Sequence, residues 1–271
     1  MTSGILLLTG DCREVMPAHG PFNCVIIDAP YGDTSLEWDR RVAGWLELAR
    51  ASLLPTGSMW VFGSMRFFMD HGAQFRQAGW RYAQDVVGGW DWPDPREAAH
   101  LVWEKHNGSA FHADRFKRVH EFAIQFYRSD AEWRSVYNDV QTTPDVTART
   151  ARRKRRPTHT GHIETGHYLS QDGGPRIMRS VIEMRSMHGR AIHPTEKPAP
   201  LMEILVRTSC PPGGTVGDWF AGSGAVGEAC QMTGRNYVGC EIDPDMAEKA
   251  RRRLSASLFG AGMTFMERLP G

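Results

Sequence analysis

No apolar run in this chain approaches the roughly 20 residues that a membrane-spanning helix needs, so no membrane role is expected. The N-terminal stretch Ile5-Leu6-Leu7-Leu8 is too short for the core of a secretion signal and is closely followed by Asp11. Cysteine is sparse: five residues, at 12, 24, 210, 230 and 240, an odd number with no C-x-x-C pair. That pattern argues against a disulfide framework or a zinc ribbon and suits a reducing, cytoplasmic setting. No cysteine follows a proline. Histidines do gather at His159-x-x-His162 and His167, but no cysteine is near them and the pattern is not H-E-x-x-H. Solvated loop histidines are therefore expected, and no metal. The chain has no internal repeat and, outside one basic run, no low-complexity tract.

What is present reads as a globular α/β protein. With 271 residues, 41% of them hydrophobic, the chain can form one large α/β domain or one domain with an insertion. Residues 1–128 alternate strand-like and helix-like stretches. Ile5–Leu8, Val25–Ile27, Ser58–Gly63, Ala99–Glu104 and Phe122–Tyr127 read as strands. Arg41–Leu54 sets Val42, Trp45, Leu46, Ala49 and Leu53 at helical spacing, with Pro55-Thr56-Gly57 as the expected stop. Such alternation predicts a parallel sheet flanked by helices. Residues 129–190 lose this periodicity and gain Thr, Gly, His and Arg, the composition of an inserted, loop-rich segment. From 191 to 271 regular structure returns: a helix from Pro198 to about Ser209, strands at 215–218 and 237–241, each followed by a helix.

The formal charge of +1 hides an asymmetry. Residues 146–190 hold ten Lys/Arg against three Asp/Glu, a local net of +7, which leaves −6 for the rest. Arg149, Arg152, Arg153, Lys154, Arg155 and Arg156 form the densest part. A block like this is either a solvated segment or an arm that binds a polyanion such as nucleic acid.

Two stretches carry candidate chemistry. Cys24-Val-Ile-Ile27 ends abruptly in Asp28-Ala29-Pro30-Tyr31-Gly32, which puts a carboxylate, a stiffened backbone and an aromatic ring at the carboxyl end of a buried strand. Ligands of open α/β sheets bind along that edge. A turn in which Asp28 bonds local backbone is the plainer alternative. Thr215-Val-Gly-Asp218-Trp-Phe-Ala-Gly222-Ser-Gly224-Ala-Val-Gly227 is a strand, a glycine turn and a helix start, followed by a second strand ending in Glu241. Glycines there let a ligand approach the backbone, and a helix N-terminus offers free N–H groups. The spacing also fits a dinucleotide fingerprint, so a nicotinamide-dependent oxidoreductase is one reading and a purely structural turn another. Against the first, only about one βα unit follows the turn, and a dehydrogenase leaves Asp28–Tyr31 without a role.

Taken together, His193-Pro-Thr-Glu-Lys-Pro198, Asp218-Trp-Phe-Ala-Gly-Ser-Gly224, Gly239-Cys-Glu241-Ile-Asp and the upstream Asp28-Ala-Pro-Tyr31 resemble the amino-methylating DNA methyltransferases of the β-class motif order. Gly10-Asp11-Cys12, Trp38-Asp39, Trp103-Glu-Lys105 and His120-Glu121 extend the match over most of the chain outside 129–190. Ala29 departs from it, because the family usually has proline there.

The resemblance implies a circularly permuted Rossmann-like methyltransferase sheet with helices on both faces. Residues 1–128 would form its catalytic half, 129–190 a DNA target-recognition insertion, and 191–271 the half that binds S-adenosylmethionine. It implies methyl transfer to the exocyclic amine of a flipped base in double-stranded DNA and leaves room for a homodimer. Asp28 and the carbonyl near Ala29 would each accept an amine hydrogen, Pro30 would stiffen the loop, and Tyr31 would face the base. Asp218, Gly222 and Gly224 would wrap the methionine part of the cofactor, Glu241 its ribose, and Asp11 with Cys12 its adenine end. Thr195 and Lys197 would meet the methionine carboxylate. His193, Phe220, Ala221, Ser223 and Ile242, and Asp28 itself, complete the implied cofactor site. For Asp11 a helix N-cap is the alternative, since Arg13–Met16 can start a helix. Adenine N6 is the expected target, because the family's cytosine-N4 members more often carry Ser at position 28. Cytosine C5 chemistry needs a Pro-Cys nucleophile, which is lacking. The basic run would track DNA phosphates.

Overall fold

Val25, Ile26 and Ile27 follow one another with no polar residue between them, and such a strand must be covered on both faces. A computed structural model, which describes residues 4–32, 36–89, 121–143, 176–183 and 196–259, provides that cover. In chain order the elements are β1 (Ile5–Thr9), α1 (Cys12–Val15), β2 (Phe22–Ile27), α2 (Trp45–Ala51), β3 (Leu53–Gly63), α3 (Met65–Gln77), β4 (Trp80–Gly89) and β5 (Phe122–Arg128). After β6 (Thr142–Thr143) and β7 (Arg176–Ile177) come β8 (Val181–Glu183), α4 (Ala199–Ser209), β9 (Thr215–Asp218), α5 (Ala225–Thr233), β10 (Asn236–Glu241) and α6 (Pro244–Phe259).

Two compact units form. The larger takes in Met1–Asp139 and Ser180–Gly271, and the smaller is Val140–Arg179, inside the 129–190 stretch read as an insertion. The larger unit holds an eight-stranded sheet in the order β1-β10-β9-β2-β3-β5-β4-β8. The two strands of the C-terminal region are thus threaded between β1 and β2. In the smaller unit β6 and β7 pair antiparallel, and Met178 N donates to Gln141 O at 2.9 Å.

Side chains alternate across the central strands as the pleat requires. Val25, Ile27, Met59 and Val61 join Trp45, Ala49, Phe67 and Phe75 in one core, on the face covered by α1–α3. Trp60 turns to the other face, where its Nε1 donates to Ser209 Oγ of α4 at 2.7 Å. Buried Gln125 donates to Ser58 Oγ and Ser209 Oγ at 2.8 and 3.0 Å, so the polar groups under α4 are partnered. Helices lie on both faces of the sheet, as expected.

Several expectations need correction. The sheet is not wholly parallel, because β5 runs antiparallel between β3 and β4. The helix expected over Arg41–Leu54 starts only at Trp45, after Gly44 takes a left-handed φ of 83°. Pro55-Thr56-Gly57 is not a turn but lies within β3. The β2–β3 register jumps there, from Phe22↔Leu53 to Cys24↔Ser58, and an irregular strand start tolerates a proline that has no N–H to donate. Helix α3 and strands β4, β6, β7 and β8 go beyond the elements expected from the sequence. The strand expected at Ala99–Glu104 lies outside the described residues.

The crossovers place the site. The connection from β9 to β10 leaves over the α5 face, whereas those from β2 to β3 and β3 to β4 use the α2–α3 face. Strand order therefore diverges between β9 and β2, and their carboxyl ends flank a crevice of the kind in which α/β sheets bind ligands.

Candidate active site

β2 and β9 are in register, with Ile26 opposite Asp218, so Asp28 stands two residues beyond Asp218 along the same edge. The carboxyl tips of β2, β9 and β10 close around a cavity of about 310 Å³. Asp28, Pro30, Lys197, Asp218, Phe220, Ala221, Gly222, Ser223, Glu241 and Ile242 line it. Side chains that motif reasoning left without a role line it too, among them Trp38, Phe62, Glu196, Met202 and Met246.

The loop after β2 is stapled from outside the motif. Gly32 turns the chain with a left-handed φ of 71°, and its N–H donates to Asp39 Oδ1 at 2.8 Å. Arg41 Nε donates to the Tyr31 carbonyl at 3.0 Å. These bonds give Asp39, which the sequence match had left without a task, a structural one. Ala29 is 2% exposed and belongs to the apolar core rather than to the cavity wall.

Around Asp28 the charges are dense. Lys197 Nζ donates to Asp28 Oδ1 and Oδ2 at 2.9 and 2.8 Å and lies 3.6 Å from Glu121 Oε2. It also lies 5.2 Å from the centre of the Phe62 ring. Burial opposes the ammonium form of Lys197, but Asp28 and Glu121 outweigh it and hold its pKa above the ordinary lysine value. The Tyr31 hydroxyl donates to Glu121 Oε1 at 3.1 Å. Burial first, and then the negative charges of Glu121 and Asp28, push its pKa well up, so it stays protonated. Lys197, expected to meet the methionine carboxylate of a cofactor, lines the cavity with its ammonium held by the carboxylates of Asp28 and Glu121. The signal was the motif itself, but the partners are 169 and 76 residues away and no local pattern announces them.

The opposite wall is built by the glycine turn. Gly222 has a φ of 50°, and a Cβ placed on it would meet nothing within 4 Å, so its backbone faces open space. Its N–H donates to Glu241 Oε2 at 2.8 Å, and Asp243 N donates to Oε1 at 2.9 Å. A carboxylate has about four lone-pair sites, so Glu241 keeps roughly two for a ligand. Gly224 differs: it caps α5 in a left-handed conformation, and a Cβ there would come within 3.3 Å of Ala250. Gly227 would collide with Leu254 and Tyr237. Of the three glycines, only Gly222 presents its backbone to the cavity; the other two let helix and strand pack closely.

Asp218 is 2% exposed. Burial raises its pKa to about 7, despite a bond donated by the Tyr237 hydroxyl at 3.0 Å. Asp11 and Cys12 do not line the cavity. Asp11 is the N-cap of α1, accepting from Arg13 N at 2.9 Å, and its carboxylate is held by the Arg13 guanidinium. Those bonds hold its pKa below the usual carboxylate value, so the plainer of the two readings describes the observed side chain. Burial pushes the Cys12 thiol up to about 12, and likewise Cys210 and Cys240, while Cys24 and Cys230 are well above the ordinary value. None of the five is poised as a thiolate nucleophile. No group of three or more metal-ligating side chains occurs among the described residues. His193, Thr195, the three loop histidines and the basic run 149–156 lie outside the described residues. Among the described residues no helix is long and apolar enough to cross a membrane.

Known proteins resemble this chain in sequence and in fold. A family model described as DNA methylase, of the N6 and N4 type, matches residues 21–252. The type II methyltransferase M2.DpnII of Streptococcus pneumoniae is 23% identical over 214 residues, which span 78% of this chain and 65% of that protein. Among solved structures, the M1.HpyAVI–SAM complex superposes with a TM-score of 0.58 at 20% identity, covering 92% of this chain and all of the other. The putative DNA modification methylase TTHA0409 of Thermus thermophilus, complexed with S-adenosyl-L-methionine, gives 0.55 at 18% identity over 95% and 97% of the two chains. The cytosine-N4-specific PvuII DNA methyltransferase gives 0.60 at 14% identity over 96% and 93%.

Proposed function

Because this chain belongs to the DNA methylase family of N6- and N4-type methyltransferases, we propose that it transfers a methyl group from S-adenosylmethionine to the exocyclic amine of a base in DNA, with adenine N6 as the acceptor. The observation that carries the reading is one cavity with two unlike walls. On one side stand Asp28 and Pro30 at the tip of β2, and on the other Gly222, Asp218 and Glu241 at the tips of β9 and β10.

The residues present fit the cofactor. Gly222 offers bare backbone, and Glu241 has acceptor capacity beyond its two amide bonds, suited to ribose hydroxyls. Asp218, when ionised, is an anionic partner for the ammonium of the methionine part. Bound S-adenosylmethionine supplies an electrophilic methyl group on a sulfonium.

The protein's own task is to make an amine nucleophilic. An exocyclic amine is a poor nucleophile because its lone pair is delocalised into the ring. Asp28 accepts one of its hydrogens and the backbone carbonyl near Ala29 the other, which favours a pyramidal nitrogen whose lone pair points across the cavity. Once methylated, the nitrogen gives up one of these two hydrogens as a proton. The Lys197 ammonium on both Asp28 oxygens fixes the carboxylate plane, so little reorganisation remains at the moment of transfer. The base must leave the duplex to reach this point, and Trp38 on the cavity wall offers aromatic surface to receive it, whereas Tyr31 packs against the core beside the cavity. The basic run 149–156 supplies phosphate contacts.

The dinucleotide reading receives no support. The family to which the chain belongs is a methylase family, and packing of the third glycine against Leu254 and Tyr237 suits either fold. Asp rather than Ser at position 28 favours adenine over cytosine N4. The test is to incubate random-sequence duplex DNA with the protein and isotopically labelled S-adenosylmethionine, then to digest it and identify the labelled nucleoside by mass spectrometry. N6-methyladenine is expected. Label in N4-methylcytosine would reassign the base, and no label in DNA would remove the proposal.

A further inference from the structure

Glu121 precedes β5, which runs antiparallel to both of its neighbours, and so reaches the cavity edge from the opposite chain direction. It is 6% exposed and does not line the cavity, so it meets neither cofactor nor base directly. It does meet two residues that touch Asp28. Tyr31 has one hydroxyl hydrogen and two carboxylates in reach: Glu121 Oε1 at 3.1 Å and Asp28 Oδ1 at 3.5 Å. Lys197 has three hydrogens. Two go to the Asp28 oxygens, and the third is directed towards the Tyr31 oxygen at 3.4 Å and Glu121 at 3.6 Å. The bonds therefore run in one direction, from Lys197 to the Tyr31 oxygen and from the Tyr31 hydrogen to Glu121.

We infer that Glu121 is a positioning residue for methyl transfer: by taking the Tyr31 hydrogen it keeps a lone pair of Asp28 open for the substrate amine. Lys197 already occupies one site on each Asp28 oxygen. Of the remaining acceptor sites, the one nearest Tyr31 is filled when Glu121 no longer draws that hydrogen away. The hydroxyl is a firm donor, since burial and both carboxylates keep it protonated. A shared ammonium has a second effect: Glu121 draws part of the Lys197 charge and leaves Asp28 the stronger acceptor. The inference rests on Asp28 being the acceptor of the amine hydrogen.

Glu121→Met keeps the side-chain volume and removes the acceptor, whereas Glu121→Gln keeps an acceptor oxygen. Single-turnover transfer of label from S-adenosylmethionine to random-sequence duplex DNA is measured for both, for E121M/Y31F and for Asp28→Ala. S-adenosylhomocysteine binding by calorimetry shows that each variant is folded. We expect E121M to be slowed at least about tenfold with cofactor-product affinity within about threefold, and E121Q to recover most of the loss. E121M/Y31F, with no hydroxyl left to redirect, should be at least about fivefold faster than E121M. An E121M protein of undiminished rate, or an E121M/Y31F protein no faster than E121M, overturns the inference. An active Asp28→Ala protein instead overturns the role of Asp28, so the two failures are distinguishable.

Discussion

Asp218→Asn should stabilise the ligand-free protein increasingly as pH rises while weakening its hold on the cofactor. The folded carboxyl titrates near 7 against an ordinary value of 3.8, and burial is the main cause. A carboxyl with a raised folded pKa gives its full stability below the unfolded pKa and loses it as pH rises through the folded one. The wild-type protein therefore bears an increasing penalty for ionising Asp218 between about pH 4 and pH 7. Integrating these two values gives a penalty of roughly 2 kcal/mol at pH 5 and roughly 4 kcal/mol at pH 8. Asparagine keeps an oxygen for the Tyr237 hydroxyl but cannot ionise, so the variant escapes this penalty. Its amide NH₂ carries its own desolvation cost, so the informative quantity is the change with pH. Relative to wild type, the variant should gain about 2–3 kcal/mol between pH 5 and pH 8, measured by urea unfolding at both values. At pH 8 it should bind S-adenosylhomocysteine at least about tenfold more weakly, having lost an anionic partner. A stability difference that does not move with pH would refute the reasoning, as would one that falls.

Other expectations concern separate parts of the molecule. Glu241→Ala should weaken S-adenosylhomocysteine binding by about 1–3 kcal/mol in calorimetry, because it removes a charge-assisted acceptor and frees the Gly222 turn. Asp11→Ala should lower stability to urea by about 0.5–2 kcal/mol through loss of the α1 cap, with cofactor affinity nearly unchanged. A large loss of affinity would return Asp11 to the cofactor site. Changing Arg152, Arg153, Lys154, Arg155 and Arg156 to Gln should flatten the slope of log DNA affinity against log salt by about two to four units. The weakening should be equal across DNA sequences, since phosphate contacts carry no sequence information. An unchanged slope would mean that the run touches no DNA.

Much of this site was legible in the linear sequence, for a physical reason. Val25–Ile27 and Asp28 are neighbours in the chain, so a buried strand and the carboxylate at its tip are read together. The same holds for Asp218 with Gly222, and for Tyr237 through Glu241. What was not legible depends on distant residues. Glu121 meets Tyr31 across 90 positions, and Lys197 meets Asp28 across 169. Pro55 reads as a breaker until the register jump against β2 shows where a strand can hold it. The three glycines of the turn look equivalent as letters, and only the surrounding atoms separate Gly222, open to the cavity, from Gly224 and Gly227, closed by α6 and Tyr237. Asp11 was ambiguous because the same residue type suits a cap and a ligand, and the neighbouring Arg13 decides its observed bonds.

The central claim is that Asp28 holds the acceptor amine across the cavity from the cofactor. Single-turnover methyl transfer by Asp28→Ala, with S-adenosylhomocysteine affinity measured on the same preparation, tests it most directly. The predicted result is a rate at least about a hundredfold below wild type with affinity changed by less than about threefold. Methylation at the wild-type rate would contradict the claim, and Asp28 would then be no more than the partner of the buried Lys197.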